Sequence, residues 1–184
     1  FKGEFSFDDY AQILLDVPMI FIERLVNGVK TAIKTENLTF RKFLKEGWQG
    51  YCAEKSDWEL HLSLYFPDVR LKNYIEIRNH DCVGGGLEYS IPAFYKGIMY
   101  NSAALDEVSS MLLKYSYNEI NELRYNVARH ATASKLRKHP ILNICKELVE
   151  ISYYSLKNQC EDEEVFLDPL MEMLKKNKVP CDFS

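Results

Sequence analysis

The sequence has no apolar run approaching the ~20 residues that a membrane-crossing helix needs, and no basic-then-apolar start of the secretory kind. It has no surplus of positive charge: 23 Lys and Arg against 27 Asp and Glu give a net charge of −4. That balance argues against general attraction to nucleic acid or an anionic membrane, but not against small anionic ligands, because local charge can oppose the global sign. Its five cysteines, Cys52, Cys82, Cys145, Cys160 and Cys181, are scattered and odd in number. They form neither a CxxC nor a Cys/His set at zinc spacing. Reduced thiols in a cytosol-like compartment are the expectation. The location this implies is cytoplasmic, or organellar if a transit peptide has been removed. Internal repeats and low-complexity linkers are absent as well.

What is present is an ordinary globular composition, 184 residues with 47% hydrophobic and 27% charged. That length can bury a core without help from a disulfide or a metal. The chain opens on Phe1 rather than Met and runs at once into a helical pattern, as an excised piece does, so a partner segment on the N-terminal side is expected.

Ser6-x-x-Asp9 has the form of a helix start, and Asp16-Val17-Pro18 of a stop. Met19 to Ile22 reads as a strand, and Asn27-Gly28 as the turn into a second strand, Val29 to Lys34. Thr39 caps a short helix, Phe40 to Glu46, closed by Gly47. Ser56 and Glu59 form a capping box for a helix that Pro67 ends. Val69 to Asn79 alternates with period two and reads as one strand. Gly84 to Gly86 is a flexible loop. Beyond Ser90 the pattern is wholly helical. Pro92 lies in a first turn, Ser102 opens a second helix, Asn118 to Arg129 form a third and Pro140 starts a fourth. The fifth runs from Val165 to Lys176, with Phe166, Leu170, Met173 and Leu174 inward. Glu161 to Glu164 reads as a solvated helix junction. The expected architecture is α+β in a single unit, 1–184, with strands in residues 1–89 and a helical bundle in 90–184.

The strand Val69–Asn79 is where chemistry concentrates. Successive side chains of a strand point to opposite faces. One face then carries Val69, Leu71, Asn73, Ile75 and Ile77, suited to packing on a helical layer. The other lines up Arg70, Lys72, Tyr74, Glu76 and Arg78 over roughly 27 Å, at about 3.4 Å per residue. A two-faced sheet with its polar side in water is the commoner origin of such alternation. Two arginines, however, suit bidentate recognition of carboxylate or phosphate. A carboxylate between cations is also what a Mg-nucleotide site requires.

The surrounding strings are more specific than the alternation. Asp57-Trp58-Glu59-Leu60-His61-Leu62, then Phe66-Pro67-Asp68-Val69-Arg70-Leu71-Lys72 and Tyr74-Ile75-Glu76-Ile77-Arg78, resemble the W-x-x-H-L and F-P-x-V-R-L-K-x-Y-x-E-x-R of plant-type glutamate–cysteine ligases. Leu15-Asp16-Val17-Pro18-Met19, Thr39-Phe40-Arg41-Lys42-Phe43-Leu44 and Ile91-Pro92-Ala93-Phe94-Tyr95-Lys96-Gly97 are similar to the same family's L-D-V-P-M, T-F-R-x-F-L and L-P-A-x-x-x-G. Tyr100 and Leu105-Asp106 fit too. The resemblance is strong over about residues 8 to 110 and a helical pattern beyond.

The resemblance implies a glutamine-synthetase-like fold, an antiparallel sheet whose concave face holds ATP, Mg2+ and glutamate. It implies phosphorylation of the glutamate side-chain carboxylate and attack by the amine of cysteine. By the same resemblance Glu76 is a magnesium ligand, Arg78 stabilises the phosphoryl group or glutamate, and Arg70, Lys72 and Tyr74 contact phosphates or substrate carboxylate. Glu76→Gln should then weaken Mg-ATP use while barely moving the melting temperature. The family's acidic metal-binding strands lie in its N-terminal half and nothing here resembles them, so this chain alone is expected to be inactive. Where the family has R-G-A-D followed by Gly-Pro-Trp, this chain has Arg78-Asn79-His80-Asp81-Cys82 and three glycines. The first position of the plant redox disulfide falls near Thr35, leaving only Cys52. Rival readings are another carboxylate–amine ligase on the same scaffold and a non-catalytic anion-binding domain. His61 reads as a packed or an exposed helical histidine, Trp58 as a core anchor, Arg41 as a structural ion pair, and His130 and His139 as solvent-facing.

Overall fold

A computed structural model describes residues 6–183, apart from the side chains of Cys181 and Phe183. The Cys181 thiol and the opening at Phe1 therefore lie outside the described residues. The architecture is α+β. Where the sequence reading treats 1–184 as one unit changing character near residue 89, the chain divides into two compact units, 1–79 and 80–184.

The first unit opens with α1, Phe7–Asp16, held by a reciprocal cap. The Asp9 amide donates to Ser6 Oγ at 3.1 Å and the Ser6 amide to Asp9 Oδ2 at 2.9 Å. Val17 is extended, as a residue before proline must be, and the helix ends there. Strands β1, Phe21–Val26, and β2, Val29–Lys34, form an antiparallel hairpin. Its turn places both Asn27 and Gly28 at positive φ, 53° and 78°, which matches the right-handed twist of the strands. The first strand thus starts two residues later than expected and runs on to the turn. Helix α2, Phe40–Glu46, is capped by Thr39 and closed by Gly47 at φ 67°. A Cβ on Gly47 would lie 2.7 Å from the Tyr51 carbonyl oxygen.

Helix α3, Lys55–Leu64, starts earlier than Ser56 and Glu59 suggest. The cap is made by Asp57, whose Oδ2 accepts from the Glu54 amide at 2.9 Å. A tertiary partner selects this frame: Arg24 on β1 grips the buried Asp57 carboxylate with two bonds, 2.6 and 2.8 Å. The core of this unit is Met19, Ile22, Leu38, Phe40 and Phe43, with Trp58 packed against it. His61 is buried and stacks on Phe40, and its Nε2 lies 2.8 Å from the Leu14 carbonyl oxygen. Arg41 pairs with Asp16 at 2.6 Å. Two short strands, β3 (Val69–Leu71) and β4 (Ile75–Ile77), end the unit.

The second unit is helical. Its elements are α4 (Leu87–Met99), α5 (Ser102–Leu112), α6 (Tyr117–His130), α7 (Ile141–Lys157) and α8 (Asp168–Lys175). Helix α4 starts at Leu87, on Gly86 at φ 94°, so Pro92 is its sixth residue and not in its first turn. The fifth expected helix splits into a 3-10 turn, Glu163–Leu167, and α8, because Pro169 suits a first helical turn and not an interior. Phe166 is consequently half exposed, while Met173 and Leu174 are buried. A two-stranded sheet that the pattern did not announce, β5 (Lys135–Leu136) and β6 (His139–Pro140), interrupts the helices. Arg137 in its turn clamps Glu119 at 2.6 and 3.0 Å. With the Ser116 amide and hydroxyl, that guanidinium holds the Glu119 carboxyl down to about 2. Glu161 and Glu163 are tethered by Lys96 at 3.0 and 2.5 Å, so the acidic junction is pinned to α4. The core here is Ala93, Leu156 and Leu167, with Phe94, Tyr153 and Leu170 around it.

Instead of one continuous sheet, the described residues hold three separate two-stranded antiparallel sheets. Cys52, Cys82, Cys145 and Cys160 are free thiols, and no described helix is long and apolar enough to cross a membrane.

Candidate active-site hairpin

The segment read as one strand, Val69 to Asn79, is a hairpin. β3 and β4 pair as Val69 with Ile77, Arg70 with Glu76 and Leu71 with Ile75. The Lys72 amide donates to the Tyr74 carbonyl at 2.9 Å across the turn, and the Arg78 amide to the Asp68 carbonyl at 2.8 Å at the open end. The charged residues are therefore folded upon one another rather than spread along 27 Å. Their shared face survives because the turn is centred on Asn73, so cross-strand partners have the same parity. Alternation is identical for a strand and for this hairpin, which is why periodicity could not separate them.

Each charged residue gains a defined neighbour from the fold. Arg70 is only 7% exposed. Its Nε donates to Glu76 Oε2 at 2.8 Å, Nη2 lies 2.8 Å from the same oxygen, and Nη1 donates to the Ser63 carbonyl at 2.8 Å. Arg70 thus ties the hairpin to the C-terminal carbonyls of α3, where a cation is favoured. Arg78 Nη1 donates to the other carboxylate oxygen, Glu76 Oε1, at 2.7 Å. Lys72 Nζ stands 3.9 Å from Glu76 Oε2 and near the Tyr74 ring. The hydrogen bond from Arg70 foremost, and then that from Arg78, hold the Glu76 carboxyl below its ordinary range. The set carries a net positive charge, and Lys72, Tyr74 and Arg78 keep exposed surface.

This geometry can hold an anion by Arg78 and Lys72. Arg70 has its donors committed within the unit. Glu76 offers one carboxylate, and no cluster of three His, Cys, Asp or Glu that could hold a metal exists among the described residues. A single carboxylate suits a magnesium ion only as one ligand beside phosphate oxygens and water. The apolar face expected to pack on helices is partly open, with Val69 49% and Ile75 58% exposed. Reading the charged positions alone missed Phe66, whose ring lies 5.7 Å from the Arg70 guanidinium carbon and 5.1 Å from that of Arg78. The signal for it was in the sequence, an aromatic before Pro67 at a helix end, but a ring by itself does not announce a partner.

Residues 1–177 match the model of glutamate-cysteine ligase family 2. The chain is 30% identical over 185 residues to a chloroplastic glutamate–cysteine ligase of Medicago truncatula, 29% to that of Solanum lycopersicum and 27% to that of Arabidopsis thaliana. Each alignment covers 99% of this chain and 36, 35 and 35% of the respective relative. The chain thus spans about a third of the length of the curated relatives it matches. With the match running through both units and across the cationic hairpin, the chain belongs to glutamate-cysteine ligase family 2.

Proposed function

We propose that this chain forms one wall of a glutamate–cysteine ligase site, in which ATP drives joining of the glutamate γ-carboxylate to the amine of cysteine, the first step of glutathione synthesis. The observation that carries the reading is the net-positive β3–β4 hairpin, with Arg78 and Lys72 exposed beside Glu76, in a chain of this family. Arg78 would contact the phosphoryl group as it passes from ATP to the glutamate carboxylate, and Lys72 and Tyr74 the phosphates or the substrate carboxylate. Cations placed where charge develops act most strongly in the transition state. Arg70, buried and with each guanidinium nitrogen within reach of Glu76 or a backbone carbonyl, serves by holding Glu76. Glu76 is proposed as a carboxylate ligand for Mg2+, which when bound shares the charge of the phosphate oxygens.

The opposite wall is proposed to come from the N-terminal half of the same enzyme, whose strands would extend the small sheets seen here into a glutamine-synthetase-like sheet. The chain alone is then inactive. Its compartment is proposed to be the cytoplasm or, as the relatives' names suggest, an organelle. The test uses the full-length protein, assayed for glutamate-dependent ATP hydrolysis with a panel of amines. Cysteine should stimulate it most, and Arg78→Ala should cost rate far more than folding. Stimulation by another amine alone would assign a sister ligase. A second reading, a non-catalytic anion-binding domain, is favoured by one observation: both Glu76 oxygens are already engaged by arginines. Absence of ATP turnover with every amine would favour it.

A further inference from the structure

We infer that Phe66 is a positioning residue that presents Arg78 to the bound anion; the inference rests on the reading of the hairpin just given. Phe66 is 61% exposed, so burial does not explain its place. It follows α3 and precedes Pro67, whose ring restricts the backbone of Phe66 to an extended form. The phenyl ring so placed has two guanidinium carbons within 6 Å of its centroid, at 5.7 Å for Arg70 and 5.1 Å for Arg78. Those same two arginines each take one oxygen of Glu76.

A carboxylate alone does not fix a guanidinium that reaches it by a single nitrogen. Arg78 touches Glu76 only through Nη1, and Nε and Nη2 have no hydrogen-bond partner among the described residues. The guanidinium plane could swing about that one bond. The negative face of an aromatic ring attracts the cation without consuming a donor, because the attraction is to the quadrupole. Phe66 and Glu76 together give Arg78 two points of support and leave two donor nitrogens, Nε and Nη2, for phosphate or carboxylate oxygens. The ring also offsets part of the repulsion between two like charges brought to one carboxylate. Arg70 needs no such help, since its other nitrogens reach Glu76 and the Ser63 carbonyl.

The experiment is a double-mutant cycle in the full-length enzyme, measuring cysteine-dependent ATP turnover and melting temperature. Phe66→Leu and Phe66→Met, read together so that one may fail to fold, are expected to lower kcat/KM roughly tenfold, as small displacements of a reacting group do. Phe66→Tyr should keep most of the activity, because it keeps the ring. In an Arg78→Ala background Phe66→Leu should cost nothing further. Additive losses, or a Tyr variant as poor as Leu, would overturn the inference, as would Leu and Met variants that both fail to fold. Phe66 variants that turn over normally while Arg78→Ala is impaired would overturn it alone. Arg78→Ala with unchanged turnover would instead overturn the reading of the hairpin and this inference with it.

Discussion

Glu76 holds Arg70 through one carboxylate oxygen and Arg78 through the other, and that changes what its removal should do. The charge pattern alone suggests that Glu76→Gln would cost activity and leave the melting temperature nearly unchanged. Arg70 is buried, however, and a buried cation without its counter-charge is destabilising. Glu76→Gln is therefore expected to lower the melting temperature of this chain and, in the full-length protein, the Mg-ATP use proposed above. The pH dependence has a definite sign. The carboxyl is held below 4.5 in the folded chain, so its contribution is full above the unfolded value and fades as pH falls through the lower folded one. The stability gap between wild type and Glu76→Gln should be widest near neutrality and close on acidification below about 4.5. A gap that stayed constant to pH 3 would mean that the ion pairs do not stabilise the hairpin. A second carboxylate offers a direct reading. Glu119 should titrate near 2 by carbon NMR, and Arg137→Ala should move it upward, since the Arg137 bond is the largest cause of its depression.

Helices α4 and α7 cross where neither has a large side chain. Gly97 faces Ser152, whose hydroxyl donates to the Phe94 carbonyl at 3.0 Å. A Cβ on Gly97 would sit 2.6 Å from the Ser152 carbonyl oxygen and 3.0 Å from its Cα. Those are backbone atoms, so the contact cannot be relieved by turning a side chain. Gly97→Ala should destabilise the second unit by about 1–3 kcal/mol, the usual range for overpacking. Adding Ser152→Ala removes the hydroxyl but not the backbone clash, so it should restore little of the loss in a thermal melt. This close crossing gives a physical reason for the glycine that ends the string Ile91 to Gly97 in this chain.

At the scale of the whole chain, local signals were legible and long-range ones were not. The cap at Ser6, the turn at Asn27-Gly28, the cap at Thr39 and the stop at Pro18 depend on neighbouring residues, and each stands where its sequence placed it. The start of α3 departs from its local signal because Arg24, distant in sequence, selects Asp57. The β3–β4 turn was missed because Lys72-Asn73-Tyr74 contains neither glycine nor proline and preserves the alternation. Which residues cluster at the hairpin was therefore legible, while their pairing was not. The same contrast bears on the division at residue 79. Unit 1 has its core in Met19, Ile22, Leu38, Phe40 and Phe43, unit 2 in Ala93, Leu156 and Leu167, and Arg78 to Val83 between the last strand and the Gly-rich turn has no regular structure. A segment with few buried apolar contacts opens at lower free energy than the cores that flank it. Limited digestion of the 184-residue chain with a broad-specificity protease should thus cut first between Arg78 and Gly86 and leave two protected pieces, read by mass spectrometry. Initial cleavage inside α3 or α7 would contradict the division, because those helices carry core residues of their units. On the proposed reading, ATP, Mg2+, glutamate and cysteine added to the intact 184-residue chain should release no phosphate above background, since the second wall that phosphoryl transfer needs is proposed to come from the N-terminal half of the enzyme.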